Sequence, residues 1–154
     1  MIPNVDDRLA SVIRALTEVI LPHLPPEASL AQEQVQLAVG HLQILRAQID
    51  SLPGYEREEL ADGRALGTAL ADCTGGVKTS AATSSLADAV EAQGEDGRTL
   101  LKDINVNVEA LVRAVAADGD DDTRARLTST ILEHEQARAQ KDRQWYAPFG
   151  FDTL

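Results

Sequence analysis

The residues able to do chemistry in this 154-residue chain are three histidines, one cysteine and a surplus of carboxylates, 25 Asp and Glu against 14 Lys and Arg. Their spacing argues against most of the chemistry they could support. Di-iron helical proteins place Glu-x-x-His pairs on facing helices, because two metals need bridging carboxylates and inward imidazoles. Three positions before His41 and His134 stand Ala38 and Ile131, and His23 lies in a proline-rich connection. No metal site is expected. His41 flanks an apolar seam and reads as a boundary histidine.

The run Asp118-Gly119-Asp120-Asp121-Asp122 has the look of a calcium loop. An EF-hand loop needs Gly at its sixth position and a bidentate Glu at its twelfth. Counted from Asp118, those places hold Thr123 and Ser129, so the run reads as a solvated turn with Asp121 or Asp122 capping the next helix. Gly75-Gly76-Val77-Lys78-Thr79-Ser80 imitates a phosphate loop, yet that motif needs Gly directly before Lys and a preceding strand. Val77 occupies the Gly position. Glu56, Glu58, Glu59 and Asp62 form a solvated first turn with no apolar setting to raise a pKa. Cys73 has no His–Asn or His–Asp neighbourhood and reads as a small buried hydrophobe. No catalytic residue and no cofactor are expected, and the enzyme reading has nothing to stand on.

The elements that carry these residues are helical. Leu, Ala, Val and Ile dominate the apolar fraction, a palette that favours helices. A first helix is expected over 5–21, capped by Asn4, with Leu9, Val12, Ile13, Leu16, Val19 and Ile20 as one apolar stripe. Pro22, Pro25 and Pro26 stop it. A second, over 27–51, has the cleanest period: Ala31, Val35, Ala38, Leu42, Leu45 and Ile49 alternate steps of four and three, with Leu37 and Ile44 off the seam. After Pro53-Gly54 a third helix is expected over 55–73, with Leu60, Leu66 and Leu70 as contacts and Gly63 and Gly67 permitting close approach. The Ser/Thr-rich stretch 74–85 reads as a flexible loop, followed by a short helix over 85–93. A long helix over 96–117 presents Leu101, Ile104, Val108, Leu111 and Val115. A last helix begins strongly with Leu127, Ile131 and Leu132 and turns into a charged run from Glu133 to Arg143.

The expected fold is all-α: a single domain over 1–154, an up-down helical bundle of four to five helices with an aromatic C-terminal tail over about 144–154. A net charge of −11, negative in both halves of the chain, excludes a nucleic-acid or anionic-membrane partner. No stretch approaches the ~18 apolar residues of a membrane span. The lone cysteine fits a reducing compartment and the first residues lack a signal peptide, so the expected location is cytoplasmic.

Four of the five aromatic residues, Trp145, Tyr146, Phe149 and Phe151, crowd into this tail, and the fifth is Tyr55. Large aromatic surfaces dominate interface energetics. The tail is therefore the candidate partner contact, either closing its own bundle or inserting into another chain. The leading expectation is a non-enzymatic accessory or interaction protein, a homodimer or the subunit of a partner protein. The alternative is a carrier or sensor of a small apolar, acyl-type ligand, held in a cavity of the bundle.

Four segments carry a family resemblance: residues 12–25 (Val-Ile-Arg-Ala-Leu-Thr-Glu-Val-Ile-Leu-Pro-His-Leu-Pro), the helix through Leu42, Ile44, Leu45 and Arg46, residues 86–94 (Leu-Ala-Asp-Ala-Val-Glu-Ala-Gln-Gly), and Ala125 to Leu132 running on towards Trp145-Tyr146. Together they resemble a family of small, functionally uncharacterised bacterial helical proteins encoded beside acyl-CoA dehydrogenases and aminoglycoside-phosphotransferase-like proteins. Ala38-Val39-Gly40-His41 stands where that family shows an Ala-Asn pair, and the stretch from Tyr55 to Ser84 is longer. The resemblance covers about half of the chain. It implies a helical bundle and an accessory role near acyl-CoA or phosphotransferase chemistry, and it names no catalytic residue.

Overall fold

The computed structural model describes residues 4–94 and 96–146, and every described element is helical. The chain divides into two compact units, Met1–Leu52 and Pro53–Leu154. Six helices are present among the described residues, more than the four to five expected.

The first unit is a helical hairpin. Asn4 caps α1 reciprocally: its side chain accepts from the Asp7 N–H at 2.8 Å and its own N–H donates to the Asp7 carboxylate at 3.3 Å. α1 is α-helical over Val5–Arg14, widens into a π-helical turn over Ala15–Ile20, and closes over Leu21–His23. Pro22 gives the reason for the wide turn. It has no N–H for the Glu18 carbonyl four residues back, and its ring crowds that carbonyl, so the Leu21 N–H reaches five residues back to Leu16. The His23 Nδ1–H closes the end by donating to the Val19 carbonyl at 2.6 Å. α2 spans Ser29–Gln48. Arg46, near its end, grips Asp6, near the start of α1, through two bonds of 2.5 and 2.9 Å, so the helices run antiparallel.

The second unit holds the core. α3 spans Leu52–Leu70, with Pro53 in its first turn, where a missing N–H costs nothing. Pro53-Gly54 thus opens this helix instead of separating it from the one before. α4 spans Val77–Glu91, α5 Gly97–Asp118 and α6 Asp121–Tyr146. Leu66, Leu70, Cys73, Leu86, Ile104, Leu111, Val115 and Leu127 form one buried cluster drawn from all four helices and the α3–α4 connection. Gly63 and Gly67 are what let α3 come this close. A Cβ on Gly63 would stand 2.5 Å from Leu101 Cδ1, and one on Gly67 2.4 Å from Val90 Cγ2.

Two local expectations change. The 74–85 stretch, read as a flexible loop, is helical from Val77 onward. Its start is fixed from outside: Asp118, at the end of α5, accepts from the Lys78 N–H at 2.7 Å, the Thr79 N–H at 3.0 Å and the Thr79 hydroxyl at 2.6 Å. A Ser/Thr-rich sequence that cannot cap itself is capped by another helix. The last helix is capped by Asp120 rather than Asp121 or Asp122, because a cap reaches the N–H three residues on, and Asp120 accepts from Thr123 at 2.7 Å.

Candidate interaction surfaces

The charged run of α6 has no apolar face, and polar contacts to α3 hold it instead. Arg138 pairs with Glu59 at 3.6 Å and Lys141 with Asp62 at 2.5 Å. The Tyr55 hydroxyl donates to Asp142 at 2.7 Å, and the Tyr55 ring packs on Trp145 with centroids 4.5 Å apart, tilted by 31°. Burial pushes the Tyr55 hydroxyl's pKa up, and the hydrogen bond to Asp142 adds to the rise. Trp145 thus sits half-buried on the one aromatic outside the tail. Tyr146 is 44% exposed. Phe149 and Phe151 lie outside the described residues.

The groups singled out for chemistry have structural occupations. The amides that imitate a phosphate loop are spent on the Asp118 carboxylate, whose pKa is lowered, first by the Thr79 hydroxyl and then by the Lys78 and Thr79 amides. The glycines of that loop give the carboxylate its room: a Cβ on Gly76 would stand 2.5 Å from Asp118 Oδ2. The helix N-terminus that might have held an anion already holds one of the chain's own. Cys73 is buried, and burial raises its thiol pKa, with the neighbouring Asp72 adding to the rise. Among the described residues no three His, Cys, Asp or Glu side chains gather to hold a metal ion. A groove of about 330 Å³ runs along one side of α5, lined by Arg98, Leu101, Lys102, Asn105, Val106 and Glu109, and it opens broadly to solvent.

The most unusual surface is the hairpin. None of its described residues is buried. Leu9, Ile13, Leu16 and Leu21 of α1 are half-buried, as are Val35, Val39 and Leu42 of α2. The π turn explains why Leu21 succeeds Leu16 in that row where a regular helix would use Ile20. Val5, Val12, Val19, Ile20 and Leu45 are between 43% and 58% exposed, and Ala31 and Ala38 are exposed with them. The heptad seam of α2 is therefore half used. Val35, Leu42 and Ile49 are half-buried, and the companion row Ala31, Ala38 and Leu45 faces solvent. Of the two off-seam residues, Ile44 is half-buried and Leu37 is exposed.

Helix geometry places these open rows together. At about 100° per residue, Val5 and Val12 flank the packed row of α1 on one side and Asp6 on the other. The extra residue of the π turn lets Ile20 continue the Val5–Val12 row. On α2, Ala31, Ala38 and Leu45 flank the packed row on one side and Arg46 lies across it. Asp6 and Arg46 meet, so they mark one face of the antiparallel pair. Both apolar rows then belong to the opposite face. Comparison with protein-family models, with curated proteins and with solved structures yields no match.

Among the described residues no helix is long and apolar enough to cross a membrane. Sequence reasoning singled out the tail and did not single out the exposed apolar rows of the hairpin. The signal was present in the α2 seam, whose strict four-and-three period asks for neighbours on both rows.

Proposed function

We propose that this protein is a non-enzymatic interaction protein that works through helix–helix contacts, with the hairpin of α1 and α2 as its contact element. The observation that carries this reading is the hairpin's composition: two helices present ordered apolar rows, and none of their described residues is buried. Two helices of this size bury too little to be stable alone, so the open face asks for a further helical surface. The second unit serves as the scaffold. Its helices alternate in direction, with Gly63 close to Leu101, Thr74 close to Thr123 and Asp118 capping α4, which supports an up-down arrangement of α3 to α6. The aromatic tail contributes through Tyr146, Phe149 and Phe151, with Trp145 held on Tyr55 as its root.

The acyl-carrier reading is weaker. The described core is closely packed around Leu86, Ile104 and Leu111, all fully buried, and the α5 groove lacks enclosing apolar walls. An acyl-CoA dehydrogenase or a phosphotransferase-like protein, named by the family resemblance alone, is the partner to test first should the contact be heterologous. The test of the contact reading is Val12→Glu on the open face beside Arg14→Glu on the far side of α1. At protein concentrations low enough to keep the face free of any partner, binding of an apolar dye such as ANS should fall for the first and stay for the second. Equal dye binding by both would contradict the reading.

A further inference from the structure

The open face of the hairpin has three properties that together select one occupant. The first is charge. The carboxylates carried by its helices are Asp6, Asp7, Glu18 and Glu33, and the helical angles place all four off the Val5–Val12 and Ala31–Ala38–Leu45 face. Arg8, three residues after Val5 and four before Val12, stands on the α1 row as the one charge of this face, beside Gln34 and His41. A chain of net charge −11 repels its own copies over most of its surface, and this face is where that repulsion is absent.

The second property is size complementarity. The α1 row is bulky, with Val5, Val12 and Ile20, and the α2 row is small over its first two members, Ala31 and Ala38. A two-fold axis makes every contact twice, so bulky α1 of one copy can lie on small α2 of the other and the reverse holds automatically. The third is area. Helices of about 20 residues are about 30 Å long, and two lying side by side about 10 Å apart offer roughly 600 Å² of face. Two such faces bury roughly 1,200 Å² in total, the lower bound of a standard stable interface.

We infer that the face is closed by a second copy of this chain, two hairpins meeting across a two-fold axis to make an intermolecular four-helix bundle. This rests on the reading of the hairpin as a contact element. In that assembly the idle row of the α2 heptad gains the neighbour its period calls for, and Val12 and Ala38 come to lie near the middle of the interface.

The experiment is light scattering on the full chain at concentrations up to roughly 100 μM, enough to populate a dimer of micromolar Kd. The wild type should show twice the 16.5 kDa mass of one chain. The pair Val12→Glu with Ala38→Glu keeps good helix formers at both sites and should reduce the mass to that of one chain. The near-ultraviolet signal of Tyr55 and Trp145 should be unchanged, showing the second unit still folded. A control pair off the face, Asp7→Gln with Glu33→Gln, should stay dimeric. A dimer that the Val12–Ala38 pair leaves intact overturns the inference. So does a wild type that stays monomeric, and hydrogen exchange then separates the two readings. Freely exchanging hairpin amides would leave the contact reading standing with a different partner. Hairpin amides as slow as those of α5 would mean that the chain covers its own face, and both readings would fall.

Discussion

The two units solve the same problem in different ways. From Pro53 onward, four helices pool their apolar residues until six side chains, Leu70, Thr79, Leu86, Ile104, Leu111 and Val115, are almost completely removed from water. Before Leu52, two helices with equally regular apolar rows leave no described residue buried. The difference does not lie in hydrophobic content or in period. It lies in how many helices are available to close each row. A two-helix hairpin has one partner per helix and can cover one flank of each, so the other flank is left over. Four helices give the rows through Leu66, Leu86, Ile104 and Leu127 shared neighbours, and the glycines of α3 tighten the fit.

This contrast sets the order of expected effects. The largest belong to the core of the second unit. Leu111→Ala or Leu86→Ala should each cost about 2–5 kcal/mol in chemical denaturation, at any protein concentration. Leu45→Ala, on the open row of α2, should instead produce a loss that is present where the chain is dimeric and fades as the protein is diluted. A concentration-independent loss of core size at Leu45 would break the comparison. Next comes Gly67→Ala. Its Cβ meets Val90 at 2.4 Å, and the overpacking should cost about 1–3 kcal/mol by the same measurement. Gly40, the one glycine of the hairpin helices, has nothing within 4 Å of its Cβ position. Gly40→Ala should be neutral or mildly stabilising, since alanine is the better helix former by about 1 kcal/mol.

A smaller effect tests how α4 is held. The Asp118 carboxyl has a lowered pKa in the folded chain, so its contribution is present above the ordinary carboxylate pKa and is lost as pH falls through the lower, folded value. Asp118→Asn should therefore destabilise the protein at neutral pH and flatten the acid limb of its stability curve, read by thermal melts from pH 7 to pH 2. An acid limb of unchanged steepness would mean that other carboxylates govern it. The smallest effect concerns the root of the tail. Tyr55→Phe removes the hydrogen bond to Asp142 and should cost about 0.5–1.5 kcal/mol. It should also delete a tyrosine that titrates above the ordinary range in ultraviolet difference spectra.

Much of the second unit was legible from sequence because its packing is periodic. Leu66 and Leu70 on α3, and Ile104, Leu111 and Val115 on α5, are the core residues their spacing announced. The cap at Asn4 was legible for the same local reason. What escaped depends on contacts distant in sequence. Asp118 caps a helix that begins 41 residues earlier at Val77, so the Ser/Thr-rich stretch gave no helix signal of its own. Tyr55 meets Trp145 and Asp142 across 90 and 87 positions, which turns a charged helix with no apolar face into a docked one. The π turn ahead of Pro22 moves the packed row of α1 by one residue, and a fixed 3.6-residue period cannot show that. The α2 period announced a seam of which Ala31, Ala38 and Leu45 are exposed, because a period does not reveal which of its two rows the chain covers.

The most direct test of this contrast is hydrogen exchange by mass spectrometry at two protein concentrations a hundredfold apart. Amides of α5 should be equally protected at both, because Ile104, Leu111 and Val115 are buried within their own unit. Amides of α1 and α2 should gain protection at the higher concentration, as the open face finds its partner. Hairpin amides protected to the level of α5 at both concentrations would contradict the account.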